Sequence, residues 1–263
     1  MPADRPPLPR LAVIKLASCD GCQLTVLDCE DELLAITGAI DLVHFNEATS
    51  RADDGRPFDV TLIEGSVCVP EQRDLVIRTR ARTRKLIALG ACASAGGIQA
   101  LRNWADVEEY KRVVYAKPEY IEALATSTPV SAFVPVDLEL PGCPISKQQL
   151  VEVIAALLIG RRPAIEDESL CLACKRKGNV CVLVARGDPC LGPVTRTGCG
   201  VLCPTYDRGC YGCFGPREHA NTRSLSDWLG AHGGLVPADR LRRFRTYYGA
   251  AEPFRKESER HGG

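Results

Sequence analysis

Apolar residues come along the first part of this chain in short bursts. Leu11-Ala-Val-Ile-Lys-Leu16 is nearly unbroken, the pattern of a strand buried on both faces. Ile40-Asp-Leu-Val-His-Phe45, Val60-Thr-Leu-Ile63 and Lys85-Leu-Ile-Ala-Leu89 repeat it, and Val130 to Val136 reads as a fifth strand. Between the bursts the period lengthens. Leu24, Leu27 and Leu34 fall at near-helical spacing from Gln23 to Thr37, and Gly38 supplies a stop. Pro70 and Glu71 open a helix expected to reach about Arg84, because proline suits the first helical position and a carboxylate complements the positive helix end. A longer helical region is expected from about Ala105 to Ala125, and Ser146 with Gln149 forms a capping box for a helix to Ile159. Strands alternating with helices predict an α/β fold: a parallel sheet covered by helices on both faces.

After Gly160-Arg-Arg-Pro163 the periodicity fades, and a boundary is expected near Arg162 between residues 1–162 and 163–263. The second part is rich in Cys, Gly, Pro and charge, with too little apolar surface for an ordinary core. Metal–ligand bonds would supply the missing cross-links. Late in it, Leu225, Trp228 and Leu229 return to helical spacing, followed by a basic run from Arg240 to Arg245. The longest apolar stretch, Leu150 to Ile159, includes Glu152 and is too short to span a bilayer. Formal net charge is zero, so bulk charge favours neither nucleic acid nor an anionic membrane.

The cysteines change the picture most. There are fourteen, and eight crowd into one stretch: Cys171, Cys174, Cys181, Cys190, Cys199, Cys203, Cys210 and Cys213. Eight thiols make two sets of four, the number a cubane iron–sulfur cluster takes. Cys19 and Cys22 in CDGC, Cys92 in GACASAGG and Cys143 in PGCP make a third set of four. CDGC follows the first strand, GAC the fourth, and PGCP the last strand-like region. Ligands of open α/β sheets bind beyond the carboxyl ends of the strands, so three segments distant in sequence converge on one rim. Gly21, Gly90 and Gly142 allow sharp turns or close approach there.

Disulfides are the default in a secreted chain. Here MPADRPPLPR carries no apolar signal region, and a cytoplasmic, reducing location is expected. Zinc is the stronger rival, since Cys171-x-x-Cys174 and Cys210-x-x-Cys213 also suit zinc ribbons. The dispersed upstream set weighs against it, because structural zinc sites are usually local. The Gly90 loop lacks the GK[ST] ending of a phosphate loop.

In this order the motifs resemble the small subunit of nickel–iron hydrogenases: CxxC after strand one, EG after strand three, GxCxxxGG after strand four, then PGCP and the cysteine tail. The resemblance covers nearly the whole chain. It implies a flavodoxin-like domain followed by a small irregular iron–sulfur domain. It also implies that Cys19, Cys22, Cys92 and Cys143 hold a proximal 4Fe-4S cluster. Cys171, Cys174, Cys181 and Cys190 would hold a distal one, and Cys199, Cys203, Cys210 and Cys213 a medial one. The split of the tail cysteines follows from the resemblance alone. Cys171 stands where the periplasmic branch has histidine, and Cys203 completes a medial set that is often one short there. With CxxCKxxGN, these features look most like the cytoplasmic, NADP-linked, sulfhydrogenase-type branch (group 3). Implied partners are the nickel–iron large subunit and iron–sulfur and flavin/NAD(P)-binding subunits. The nickel–iron centre and FAD would lie only in those partners. Deazaflavin- or viologen-reducing enzymes, and a one-cluster relative in quinone-reducing complexes, are the alternatives.

Other residues carry blander expectations. Cys29 is expected to be a buried thiol, and Cys68 a rim thiol close to the proximal set. Glu64 is expected to orient the cluster loop or contact the large subunit. Asp20, Lys175, Arg176 and Lys177 would tune cluster potentials or be solvated loop charges. Tyr211 and Phe214 would shield a cluster or pack the small domain, and His44, His219, His232 and His261 do not cluster in sequence.

Overall fold

The computed structural model describes residues 7–29, 32 and 38–262. Strands β1 (Arg10–Lys15), β2 (Asp41–His44), β3 (Phe58–Glu64), β4 (Thr83–Leu89) and β5 (Leu138–Leu140) form one sheet. All pairings are parallel, and the order is β2-β1-β3-β4-β5, the flavodoxin-like arrangement. Its switch point lies between β1 and β3.

Alternate residues of each strand feed opposite cores, as the pleat requires. Leu11, Val13, Leu62, Ile87 and Leu89 join one buried cluster with Leu150, Val153 and Ile154 of α5 (Lys147–Leu158). Ala12, Ile14, Ile63, Leu86 and Ala88 join another with Val76 of α2 (Pro70–Ala81). Burial on both faces explains why the strands read as continuous apolar runs. The remaining helices of this part are α1 (Gly21–Leu27), α3 (Gly90–Ala95) and α4 (Val107–Val114).

Four expectations are corrected. Val130–Val136 is not a strand: Val130–Ala132 is a 3-10 turn, and the fifth strand is Leu138–Leu140. Pro129 precedes that segment and Pro135 lies within it, and neither has an N–H for a ladder. Asp137 docks the strand instead, accepting the Leu86 N–H at 2.9 Å while its own N–H reaches Leu86 O at 2.9 Å. The helical region from Ala105 shrinks to α4, because Lys117 precedes Pro118 and is held out of the helical region. α2 ends at Ala81, since Thr83 and Arg84 already belong to β4. The box at Ser146 is half formed: Ser146 Oγ accepts the Gln149 N–H at 3.5 Å, but Gln149 Oε1 has no partner among the described residues. The expected first helix is present as α1; Leu34 and the stretch to Thr37 lie outside the described residues.

The tail carries α6 (Leu170–Arg176), α7 (Val182–Arg186), α8 (Leu202–Thr205), α9 (Thr222–Ala231), α10 (Pro237–Phe244) and α11 (Glu252–Glu259). Its buried cluster includes Leu191, Val194, Leu225, Leu229, Phe244 and Phe254. Phe244 and Phe254 meet edge to face with centroids 5.6 Å apart. Ala91 and Ala95 of α3 belong to the same cluster, so the tail packs on the helix that carries Cys92. Two further ties cross over: the Arg245 guanidinium lies 4.5 Å over the Trp104 ring, and the Gly142 N–H donates to the buried Tyr248 hydroxyl at 3.2 Å. Among the described residues no helix is long and apolar enough to cross a membrane.

Candidate functional site

Four strand ends align in one row: Lys15 pairs with Glu64, Glu64 with Leu89, and Leu89 with Leu140. The residues that follow bring CDGC, Gly65–Cys68, Gly90–Cys92 and PGCP to a common rim. Gly90 shows how tightly they meet. At φ +77° it adopts a conformation that L side chains rarely take, and a Cβ there would collide with Cys22 Sγ and lie 3.2 Å from Gly142 O. A Cβ on Gly97 would sit 2.5 Å from Cys92 Sγ. The glycines therefore clear the space the sulfurs occupy. The Ala91 N–H donates to Gly142 O at 2.8 Å, joining the GAC and PGCP loops.

Burial pushes the Cys22 and Cys92 thiols up to about 12 and raises Cys143 as well. Neighbouring charge adds to this: Cys92 and Cys143 act on Cys22, and Cys19 acts on Cys92 and Cys143. Cys19 itself is exposed, at the outer edge of the group.

Glu64 explains the order in this loop. Its side chain is only 1 % exposed, and Oε1 accepts from Ser18 Oγ at 2.6 Å and from Gln23 Nε2 at 2.9 Å. Ser18 and Gln23 flank CDGC, so one buried carboxylate clamps both ends of the motif to β3. Burial raises its pKa. Asp20 takes a left-handed φ of 67° and receives the Lys15 ammonium at 2.7 Å, which holds its carboxyl below the usual range. Cys68 is buried against Ser66 Oγ (3.3 Å) and Ser127 Oγ (3.5 Å). Cys29 is buried in the sheet core and bonds Thr25 O at 3.4 Å.

In the tail, Cys171, Cys174, Cys181 and Cys190 line a cavity of about 250 Å³. Cys190 Sγ accepts two backbone N–H groups, from Cys210 at 3.2 Å and Gly192 at 3.4 Å. Cys199, Cys203 and Cys213 line a larger, open cavity of about 860 Å³, which Cys143 of the rim also lines. Burial pushes Cys213 up to about 12. Cys210 lines neither cavity. It is buried, with the Gly212 N–H on its Sγ at 3.3 Å. Phe214 is buried beside Cys213, whereas Tyr211 is partly exposed, with the Arg243 guanidinium 5.7 Å from its ring. His261 is buried with Ser226 Oγ at 2.7 Å and Glu257 Oε1 at 2.9 Å, away from these thiols in sequence.

A cysteine nucleophile needs a lowered pKa, and these thiols are raised by burial. Ligation by iron removes the proton instead, and N–H donors to sulfur then favour the thiolate. Thiols brought together at the rim and in the tail, with amide donors on Cys190 and Cys210, suit iron–sulfur ligation. Ser18, Gln23 and Tyr248 escaped the sequence reading. The first two were findable as polar neighbours of CDGC. Tyr248 lies 106 positions from Gly142, and nothing local announces it.

Comparison with known proteins agrees. The family model described as "NADH ubiquinone oxidoreductase, 20 Kd subunit" matches residues 19–157. Sulfhydrogenase 2 subunit delta of Pyrococcus furiosus is 36% identical over 241 residues, covering 90% of this chain and 98% of that protein. A chain in the crystal structure of an NAD+-reducing [NiFe]-hydrogenase in the H2-reduced state superposes with a TM-score of 0.56 at 30% identity, covering 60% of this chain and 95% of the other. The chain belongs to this family, as a nickel–iron hydrogenase small subunit of the group 3 type. A vhu-type F420-non-reducing hydrogenase subunit of Methanocaldococcus jannaschii is a further relative, 31% identical over 258 residues and 88% of each chain. As a hydrogenase small subunit, the chain is part of an oxidoreductase complex, carries iron–sulfur clusters and pairs with a large subunit.

Proposed function

We propose that this small subunit relays electrons between the large subunit's nickel–iron site and a flavin/NAD(P)-binding partner through three 4Fe-4S clusters. Cys19, Cys22, Cys92 and Cys143 would hold the proximal cluster on a domain of residues 1–162. Cys199, Cys203, Cys210 and Cys213 would hold the medial cluster on residues 163–263, and Cys171, Cys174, Cys181 and Cys190 the distal one. The observation that carries this is the serial contact of the sets. Cys143 shares the large cavity with Cys199, Cys203 and Cys213, and the Cys210 N–H donates to Cys190 Sγ. Neighbours in that order suit one-electron hopping.

Bound there, each cluster would accept and release a single electron. The chain's own residues do the rest. The Glu64 clamp holds CDGC against β3, and Gly90 and Gly97 give the sulfurs room. Amides on Cys190 and Cys210 stabilise sulfur charge, and buried Phe214 excludes water beside Cys213. No further ligand set is needed for hydrogen splitting, which is assigned to the large subunit. The relatives named F420-non-reducing hydrogenase support a second reading, an assembly whose acceptor is other than F420. A one-cluster quinone-complex relative would leave the eight tail thiols without a role. A cytoplasmic location suits a path that ends on soluble nucleotide.

Anaerobic purification with native partners, with iron, sulfide, zinc and nickel counted and EPR on the reduced sample, tests this. About twelve iron and twelve sulfide in this subunit support it. Stoichiometric zinc with little sulfide refutes it, and about four iron leaves one cluster only.

A further inference from the structure

The mouth of the Cys171–Cys190 cavity has an unusual surface. Cys181 is exposed there, and apolar side chains beside the ligands face solvent: Leu172 is 43% exposed, Val180 69% and Val184 77%. Val184 and Lys175 line the cavity itself. Around this apolar spot the charge is one-sided. From Cys171 to Cys213 the chain has six Lys or Arg and two Asp, in a protein whose total charge is zero. Some of these are neutralised locally: Arg176 pairs with Glu168, and Arg186 with Asp188 and Asp207. Lys175 has no ion pair among the described residues, and the Lys177 ammonium donates only to a neutral acceptor, Gly200 O at 3.0 Å. Both lie beside the ligands in the chain: Lys175 follows Cys174 directly and lines the cavity, and Lys177 stands three residues after Cys174.

We infer that this face docks an electron-transfer subunit that presents acidic side chains around an apolar centre. The inference rests on the proposal that these four cysteines hold the outermost cluster. Apolar contact supplies the close approach that electron transfer needs. Unpaired ammonium groups at the edge steer an acidic partner and set its orientation. Neither feature stabilises the chain alone: exposed valines gain nothing from water, and Lys175 has no ion pair among the described residues.

The test uses the anaerobically purified complex. A water-soluble carbodiimide joins lysine directly to a touching carboxylate, and peptide mapping identifies both ends. Lys175 or Lys177 is expected to link to Asp or Glu of a subunit carrying flavin or additional iron–sulfur clusters. Lys175→Glu with Lys177→Glu should weaken retention of that subunit at least tenfold and abolish the salt dependence of its dissociation. Val184→Asp, which leaves both lysines in place, should weaken it as well. Links from these lysines only to the nickel-bearing subunit, or wild-type retention in both variants, would overturn the inference. Iron counts and EPR on the wild-type complex separate the two claims. Missing iron in the Cys171 set would remove the electron-transfer proposal, whereas a complete set with no acidic neighbour removes the docking surface alone.

Discussion

Gly90→Ala offers a direct check on how the rim is built. Gly90 sits at φ +77°, and the new methyl would fall on Cys22 Sγ. The left-handed backbone costs an L residue about 1–2 kcal/mol. Moving the CDGC loop aside to relieve the overlap adds about 1–3 kcal/mol, the usual cost of overpacking. Together these make about 2–5 kcal/mol, a large share of the ~5–15 kcal/mol that holds a domain. Gly160→Ala separates the two parts. Gly160 has nearly the same φ, +71°, but nothing lies within 4 Å of its Cβ position. That variant should lose only the backbone cost of about 1–2 kcal/mol. Both complexes would be purified anaerobically and compared by iron and sulfide content, EPR of the reduced state and temperature of inactivation. Gly160→Ala should keep all its iron. Gly90→Ala should lose the rim cluster, about four iron, while signals from the tail clusters persist. Equal destabilisation of the two, with all EPR signals intact in Gly90→Ala, would refute the claim that Gly90 makes room for the Cys22 sulfur.

Further outcomes follow from the same geometry. Cys174→Ser should remove one tail cluster, lowering iron by up to about four per chain and leaving the rim signal unchanged; loss of the rim signal would show that the sets are not independent. Tyr248→Phe strips the Gly142 N–H of its acceptor and should cost about 1–3 kcal/mol, the penalty for an unsatisfied buried amide; an unchanged inactivation temperature would contradict it. Burial raises Glu64 above its ordinary value of 4.5. Its contribution to stability is therefore fully present below 4.5 and is lost as pH rises through the raised folded value. Glu64→Gln, which keeps an oxygen for Ser18 and Gln23, should flatten stability across that acidic window, as followed by thermal unfolding against pH. The thiols of Cys22, Cys92 and Cys213 are pushed up to about 12, so each must release a proton on binding iron. Iron loss to a chelator should accelerate as pH falls from 8 to 6; a rate independent of pH would contradict coupled protonation.

The chain by itself determined the fold class and the cysteine arithmetic. A sheet buried on both faces writes apolar bursts into the sequence, and Leu11–Leu16 and Lys85–Leu89 are legible for that reason. Pro70 and Ser146 mark helix starts through local chemistry that needs no distant partner. Legibility ended where local signals competed. Val130–Val136 has the composition of a strand, but Pro129 before it, Pro135 within it and the exchange between Asp137 and Leu86 moved the ladder to Leu138–Leu140. Ala105–Ala125 failed as one helix because a single Lys117-Pro118 step outweighs scattered apolar residues.

Only the tertiary structure decided which atoms meet. Parallel register puts Lys15, Glu64, Leu89 and Leu140 in one row and so gathers loops that are far apart in the chain. The burial of Glu64 against Ser18 and Gln23 depends on that row, as does the clash that forbids a side chain at Gly90. The Tyr248 bond to Gly142 depends on the tail packing against α3. Spacing records how many ligands a chain has, because motifs are local. Packing decides which ligands share a site and what surface surrounds them, because burial, register and desolvation come from contacts that no short stretch of sequence contains.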